Sequence, residues 1–226
     1  MNLSKSRCAA TIDLIVVLVV FLGGFLAISG LSAIVKYRQG LSVLLIATFQ
    51  FFLEGAAPLV LMALRHESFS SYGLTTRRLG ASLWVGLVLA VLYDLAFSCT
   101  HRAFFWIPFG GHGVMRRALS VGFPSSVLGV ALVLLSWGFM ESFFGVYFAR
   151  KVHLVLGHPG YGWFAPGVLA FALFNGVIHA MIGQGLEGFL TSFASGYAIT
   201  VVPAITKNAW GGIFVQTLTN AIGKLR

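Results

Sequence analysis

Long apolar runs separated by short polar punctuation dominate the chain, and they predict helices rather than strands. Windows of about 20 residues with at most one charge recur along the sequence, which is the length an α-helix needs to cross a bilayer. Seven such runs are read, at 12–35, 41–64, 81–98, 126–148, 163–182, 186–205 and, shorter, 210–222. A polar loop covers 65–79. A longer stretch, 100–123, holds His101, Arg102, Pro108, a Gly-Gly pair, His112, Arg116 and Arg117, and reads as a loop with interfacial parts. Another loop, with Arg150, Lys151, His153, His158 and Pro159, ends the fourth run, and its two histidines are expected to be solvated. The expectation is an all-α, polytopic membrane protein forming a single helical domain over residues 1–226. No internal repeat or long linker divides it.

Composition strengthens this reading. Of 226 residues, 58% are hydrophobic and 9% charged, whereas soluble domains carry about a quarter charged residues. The apolar surplus is too large for one core to hide. The formal net charge is +9, which in a soluble chain would suggest nucleic acid. Here the basic residues stand singly or in pairs at the ends of the runs. Snorkelling anchors beside anionic headgroups explain them more simply, so the expected partner is the lipid bilayer and no nucleic acid. Orientation stays open. With the N-terminus inside, Lys5, Arg7, Arg65, Arg77, Arg78, Arg150, Lys151 and Lys207 collect on the inner side. Lys36, Arg38, Arg102, Arg116, Arg117, Lys224 and Arg226 collect outside, which is eight against seven. Cys8 and Cys99 suggest neither a disulfide framework nor a metal pair. Lys5 and Arg7 before a long apolar stretch resemble a signal peptide, but the stretch is too long and lacks a small-residue cleavage pattern. It reads as a retained first helix in an integral protein of the cell membrane.

Polar groups at membrane depth are costly, about 3 kcal/mol for a central charge, and so should face partners or a wet cavity. The candidates are Glu54, Asp94, Glu141, Asn175, His179, Gln216 and Asn220. Asn175 and His179 are four apart and share a helix face, as do Gln216 and Asn220. Three late helices can therefore aim a carboxylate, an imidazole and amides at a common centre, a set able to hold a metal or polarise a water.

The order and spacing of these groups resemble the CPBP family of intramembrane proteases (CAAX-protease and bacteriocin-processing), which includes the type II CAAX prenyl endopeptidases. That family carries EExxxR on one helix, FxxxH on a later one and HxxxN or HxxxD on the last. The first motif aligns with Met140-Glu141-Ser142-Phe143-Phe144-Gly145, the second with Asn175-Gly176-Val177-Ile178-His179, and the third with Gln216-Thr217-Leu218-Thr219-Asn220. Tyr72-Gly73-Leu74 followed by Arg77-Arg78 resembles the usual entry into a span, and a Trp precedes the last polar pair. The resemblance covers residues 70–223.

The resemblance implies a metal-dependent endopeptidase, with zinc as the metal, acting on membrane-embedded or prenylated protein or peptide substrates. Glu141, His179 and Asn220 would be catalytic, and His179, Glu141 and Gln216 the metal contacts. The departures are specific. Met140 stands where the leading glutamate is expected, Gly145 for Arg, Asn175 for Phe and Gln216 for the second His. Methionine cannot act as a base, and catalytic zinc usually takes three protein ligands plus water. Sliding the alignment by one residue makes Glu141 the lead carboxylate but turns it about 100° around the helix. Two readings stay open, an active hydrolase and a degenerate, pseudoenzyme-like member that binds without cutting. A third class, a small transporter, would use Glu54 and Asp94. For His179 the plain alternative is a buried imidazole bonded to Asn175 or a carbonyl. For Gln216 and Asn220 it is interhelical hydrogen bonding.

Overall fold

A computed structural model describes residues 3–35, 48–101, 122–181 and 185–221. Among the described residues the chain is helical, with no strand. The helices are α1 (Leu3–Val35), α2 (Thr48–Leu64), α3 (Leu79–His101), α4 (Ser125–Leu156), α5 (Pro166–His179), α6 (Gly185–Thr206) and α7 (210–221). Four segments are long and apolar enough to cross a membrane: Ser6–Ala27, Leu79–Thr100, Ser125–Leu156 and Gly185–Thr206. Helices Thr48–Leu64 and Pro166–His179 are apolar but shorter. Most of the expected loop at 100–123 lies outside the described residues.

The outer faces of α1 and α3 are apolar and exposed, with Ile15, Val19, Leu26, Trp84 and Leu92 uncovered. Such faces suit lipid rather than water. The inner layer is α4, α5 and α6. Phe21 of α1 stacks on Phe144 of α4 at 5.3 Å and meets Phe174 of α5 at the same distance. Phe148 and Phe171 complete this aromatic seam. Helices α3, α6 and α7 approach each other through glycines. The backbone of Gly211 rests on the Ser82 carbonyl, Gly86 on the Gly211 carbonyl, and Gly212 on the Ile199 carbonyl. Without a hydrophobic force between helices in lipid, such close backbone packing is a main source of association. Replacing Gly211 by leucine drives a side chain into the α3 backbone. The expected loss is about 1–3 kcal/mol, to be read as a lower unfolding temperature in detergent.

One end of the bundle is polar. The first turns of α1, the 65–78 loop, the 157–165 loop and the α6–α7 turn meet there. Arg7 lies against Gly157, and the Ala209 N–H donates to the Gly73 carbonyl at 2.8 Å. Here the structure corrects the expectation for the fourth run. Residues 150–156 are not a loop; α4 continues to Leu156. Lys151 is 1% exposed, and its Nζ donates to Asp13 Oδ2 at 2.8 Å and Glu67 Oε1 at 2.8 Å. Arg65 donates to the other Asp13 oxygen at 3.0 Å. Tyr72 donates to Glu67, and burial together with that bond pushes its phenol above the ordinary range, so it stays a donor. Lys151 also sits 5.0 Å over the Tyr147 ring. Two acids and two bases thus balance inside a buried cluster, which is why α4 can carry a lysine where its sequence reads as a loop. His153, expected to be solvated, is 9% exposed, because it packs against Gly160 of the following turn and Gly167 of α5, with the His158 ring tilted beside it at 5.7 Å.

Candidate functional site

The expected catalytic groups fall at one depth because of how α4 and α5 run. The regular part of α4, Glu141–Leu156, has 16 residues and α5 has 14. At 1.5 Å per residue these are about 24 and 21 Å long. The two helices pack as antiparallel neighbours. Glu141 opens one and His179 closes the other, so both lie at the end of the pair far from the polar loops. Glu141 is 6% exposed and His179 is half-buried, and each engages a partner.

Backbone irregularity marks this depth. A π-helical turn over Leu134–Met140 runs directly into Glu141. Another, Phe51–Ala56 in α2, contains Glu54, and a third, Thr217–Ala221, ends α7 and contains Asn220. His179 is followed by π geometry at 180–181. The Leu134–Met140 turn packs against each of the other two longer turns. Gly55 touches the Met140 sulfur and Gly138 touches the Thr217 hydroxyl, neither leaving room for a Cβ. A π turn inserts one extra residue, re-aims the side chains around it, and occurs often at functional sites. The candidates therefore share a layer in which the backbone, as well as the side chains, departs from regular helix.

The polar partners within this region are partly resolved. Asn175, 9% exposed, donates through Nδ2 to the Ser192 carbonyl at 2.9 Å. Ser195 donates to Gln216 Oε1 at 2.6 Å, joining α6 to α7. Gln216 is 1% exposed, so its oxygen is engaged in an interhelical hydrogen bond. The Asn220 side chain lies outside the described residues.

Zinc does not fit what is seen. Among the described residues no three His, Cys, Asp or Glu side chains gather as a metal would require. The glutamine oxygen that would complete the set already accepts from Ser195. One imidazole and one carboxylate fall short of the usual three protein ligands.

Glu54 is one of the polar candidates and, with Asp94, the basis of the transporter alternative. The structure sets it, 5% exposed, on the turn that packs against Met140, with Gln50 donating to its Oε1 at 2.9 Å. Asp94 instead lies on α3, which packs against α6 and α7. The available signal was the glycine after Glu54, a small residue that permits close approach inside a membrane helix.

A cavity of about 780 Å³ opens between α3 and α6. Its walls are apolar, lined by Leu92, Phe97, Leu186, Leu190, Ala194 and Ala198, and the Tyr93 hydroxyl donates to the Thr191 carbonyl at 3.4 Å. Ser195, on the other side of the same helix, faces Gln216. Comparison with protein-family models, curated proteins and solved structures yields no match to this chain.

Proposed function

We propose that the protein is a CPBP-like intramembrane endopeptidase of the cell membrane, with all seven helices crossing the bilayer. Its substrate is a membrane-embedded or prenylated protein segment. Glu141 takes a proton from water as the water attacks the scissile carbonyl. His179 and the Asn220 amide donate toward the oxyanion that forms. The proton on Glu141 then passes to the departing amine. Glu54 supplies a second acidic group on the turn that packs against the Leu134–Met140 turn, whose last residue stands where the family pattern places its leading glutamate. No step is routed through zinc, since the described donors do not form its site.

The observation that carries this reading is the group of π turns at one end of the α4–α5 pair: two of them contain Glu54 and Asn220, and the third, packed against both, runs directly into Glu141, with His179 at the same end. The apolar cleft between α3 and α6 gives a lipid-borne chain a lateral approach. A second reading, a binding protein that holds such a segment without cutting it, is favoured by the satisfied Ser195–Gln216 pair and by Met140.

The test uses the full chain in nanodiscs with a panel of prenylated and membrane-spanning peptides, read by mass spectrometry. Cleavage in the wild type and none with His179→Ala supports the peptidase. Retained peptides without cleavage, in both proteins, support the binding reading instead. Zinc measured on the same samples, and lost in His179→Ala, would show a ligand set larger than the one described above.

A further inference from the structure

At the polar end of the bundle, away from the π layer, two cavities of about 270 and 280 Å³ adjoin each other and share Ser70 and Lys207. The first is lined by Arg150, His153 and His158, among others. The second is lined by Thr75, Arg77, Arg78 and Thr206. No acidic side chain lines either one. The chain has 6 acids in all. Asp13 and Glu67 are committed to Lys151 and Arg65. Glu54, Asp94, Glu141 and Glu187 lie on helices elsewhere. Among the described residues, Arg77, Arg78, Arg150 and Lys207 form no ion pair. The neighbouring cluster is charge-balanced, and this one is not.

The cations are also held in place. Arg150 stacks over the Tyr72 ring at 5.3 Å and Lys207 over the Tyr161 ring at 4.5 Å. Asn208 clamps the loop by donating to the carbonyls of Thr75 at 2.6 Å and Arg77 at 2.8 Å. Its Oδ1 accepts from the Trp210 N–H at 2.9 Å. Arg78 and Lys207 both adopt positive φ, 57° and 61°. This region favours glycine, so a basic side chain at both positions is set against backbone preference. Uncompensated, pre-placed guanidinium and ammonium groups around a concave surface attract and select phosphate oxygens.

We infer that this double cavity is a binding site for a phosphoryl group. Residues 77, 78 and 207 directly flank the apolar segments Leu79–Thr100 and Gly185–Thr206. That is the level of lipid headgroups, and it is also open to a free phosphate ester in water.

The experiment measures bound lipid by native mass spectrometry on the full chain, taken from phosphatidylglycerol or phosphatidylcholine nanodiscs. Inorganic phosphate binding is measured separately in neutral detergent. The variants are Arg78→Gln with Lys207→Gln, and a charge-matched control, Arg116→Gln with Arg117→Gln. One phosphatidylglycerol retained per chain, weakened about tenfold by the first pair and unchanged by the control, supports the site with a headgroup as ligand. Saturable phosphate binding with the same dependence supports it with a free anion as ligand. Equal losses in both pairs, or no loss in the first, would overturn it, because either result means diffuse surface charge. Circular dichroism on each variant separates a lost site from a lost fold.

Discussion

Lys151→Met is expected to destabilise the folded protein by about 3–5 kcal/mol, the usual result of removing one partner from a buried ion pair. The substitution keeps the length of the side chain and its apolar stem but removes the base shared by Asp13, which is fully buried, and Glu67, leaving two adjacent negative charges with Arg65 alone to balance them. A total stability of about 5–15 kcal/mol is normal for a folded domain, so the loss should show as aggregation or a much lower unfolding temperature in detergent. Adding Asp13→Asn to Lys151→Met restores balance between Arg65 and Glu67 and should recover a measurable part of the loss. Arg65→Met should cost less, because its side chain is 37% exposed and water can take over. An unfolding temperature for Lys151→Met equal to that of the wild type would show that the cluster is not a structural element.

The second large effect concerns chemistry rather than stability. Glu141→Gln is close to isosteric and removes only the ability to take a proton. If Glu141 is the general base, cleavage should fall by about 10²–10⁴-fold while the unfolding temperature stays near that of the wild type. Glu54→Gln, in the same layer, should lower the rate less than Glu141→Gln, because it supports the base and does not replace it. A Glu141→Gln protein that cuts at the wild-type rate would remove the peptidase mechanism and leave the binding reading standing.

Much of the helical plan was visible in the residues. The run read at 186–205 is α6 at Gly185–Thr206, and the run read from 126 begins α4 at Ser125. Both follow from uninterrupted apolar stretches. The reading failed where polarity was local but its compensation was distant. Arg150, Lys151 and His153 look like a loop because nothing nearby in sequence neutralises them. The partners of Lys151 lie 138 and 84 residues away. Asp13 was likewise passed over as a single acid near the start of an apolar run. The residue types singled out at membrane depth, Glu141, His179, Gln216 and Asn220, are legible in the sequence. The π turns around them are not, because one extra residue per turn leaves composition and apolar content unchanged. The packing of the turn that holds Glu54 against the Leu134–Met140 turn depends on that geometry, so helical spacing alone could not find it.

The Asp13–Lys151 bond also sets a timetable. A ribosome adds about 5–20 residues per second, so the 138 residues between them take about 7–28 s to make. For most of that interval the first helix holds an acid that has one of its two bases, Arg65, and lacks the other. The four-charge cluster therefore closes only after the fourth helix has been made, late in the synthesis of the chain.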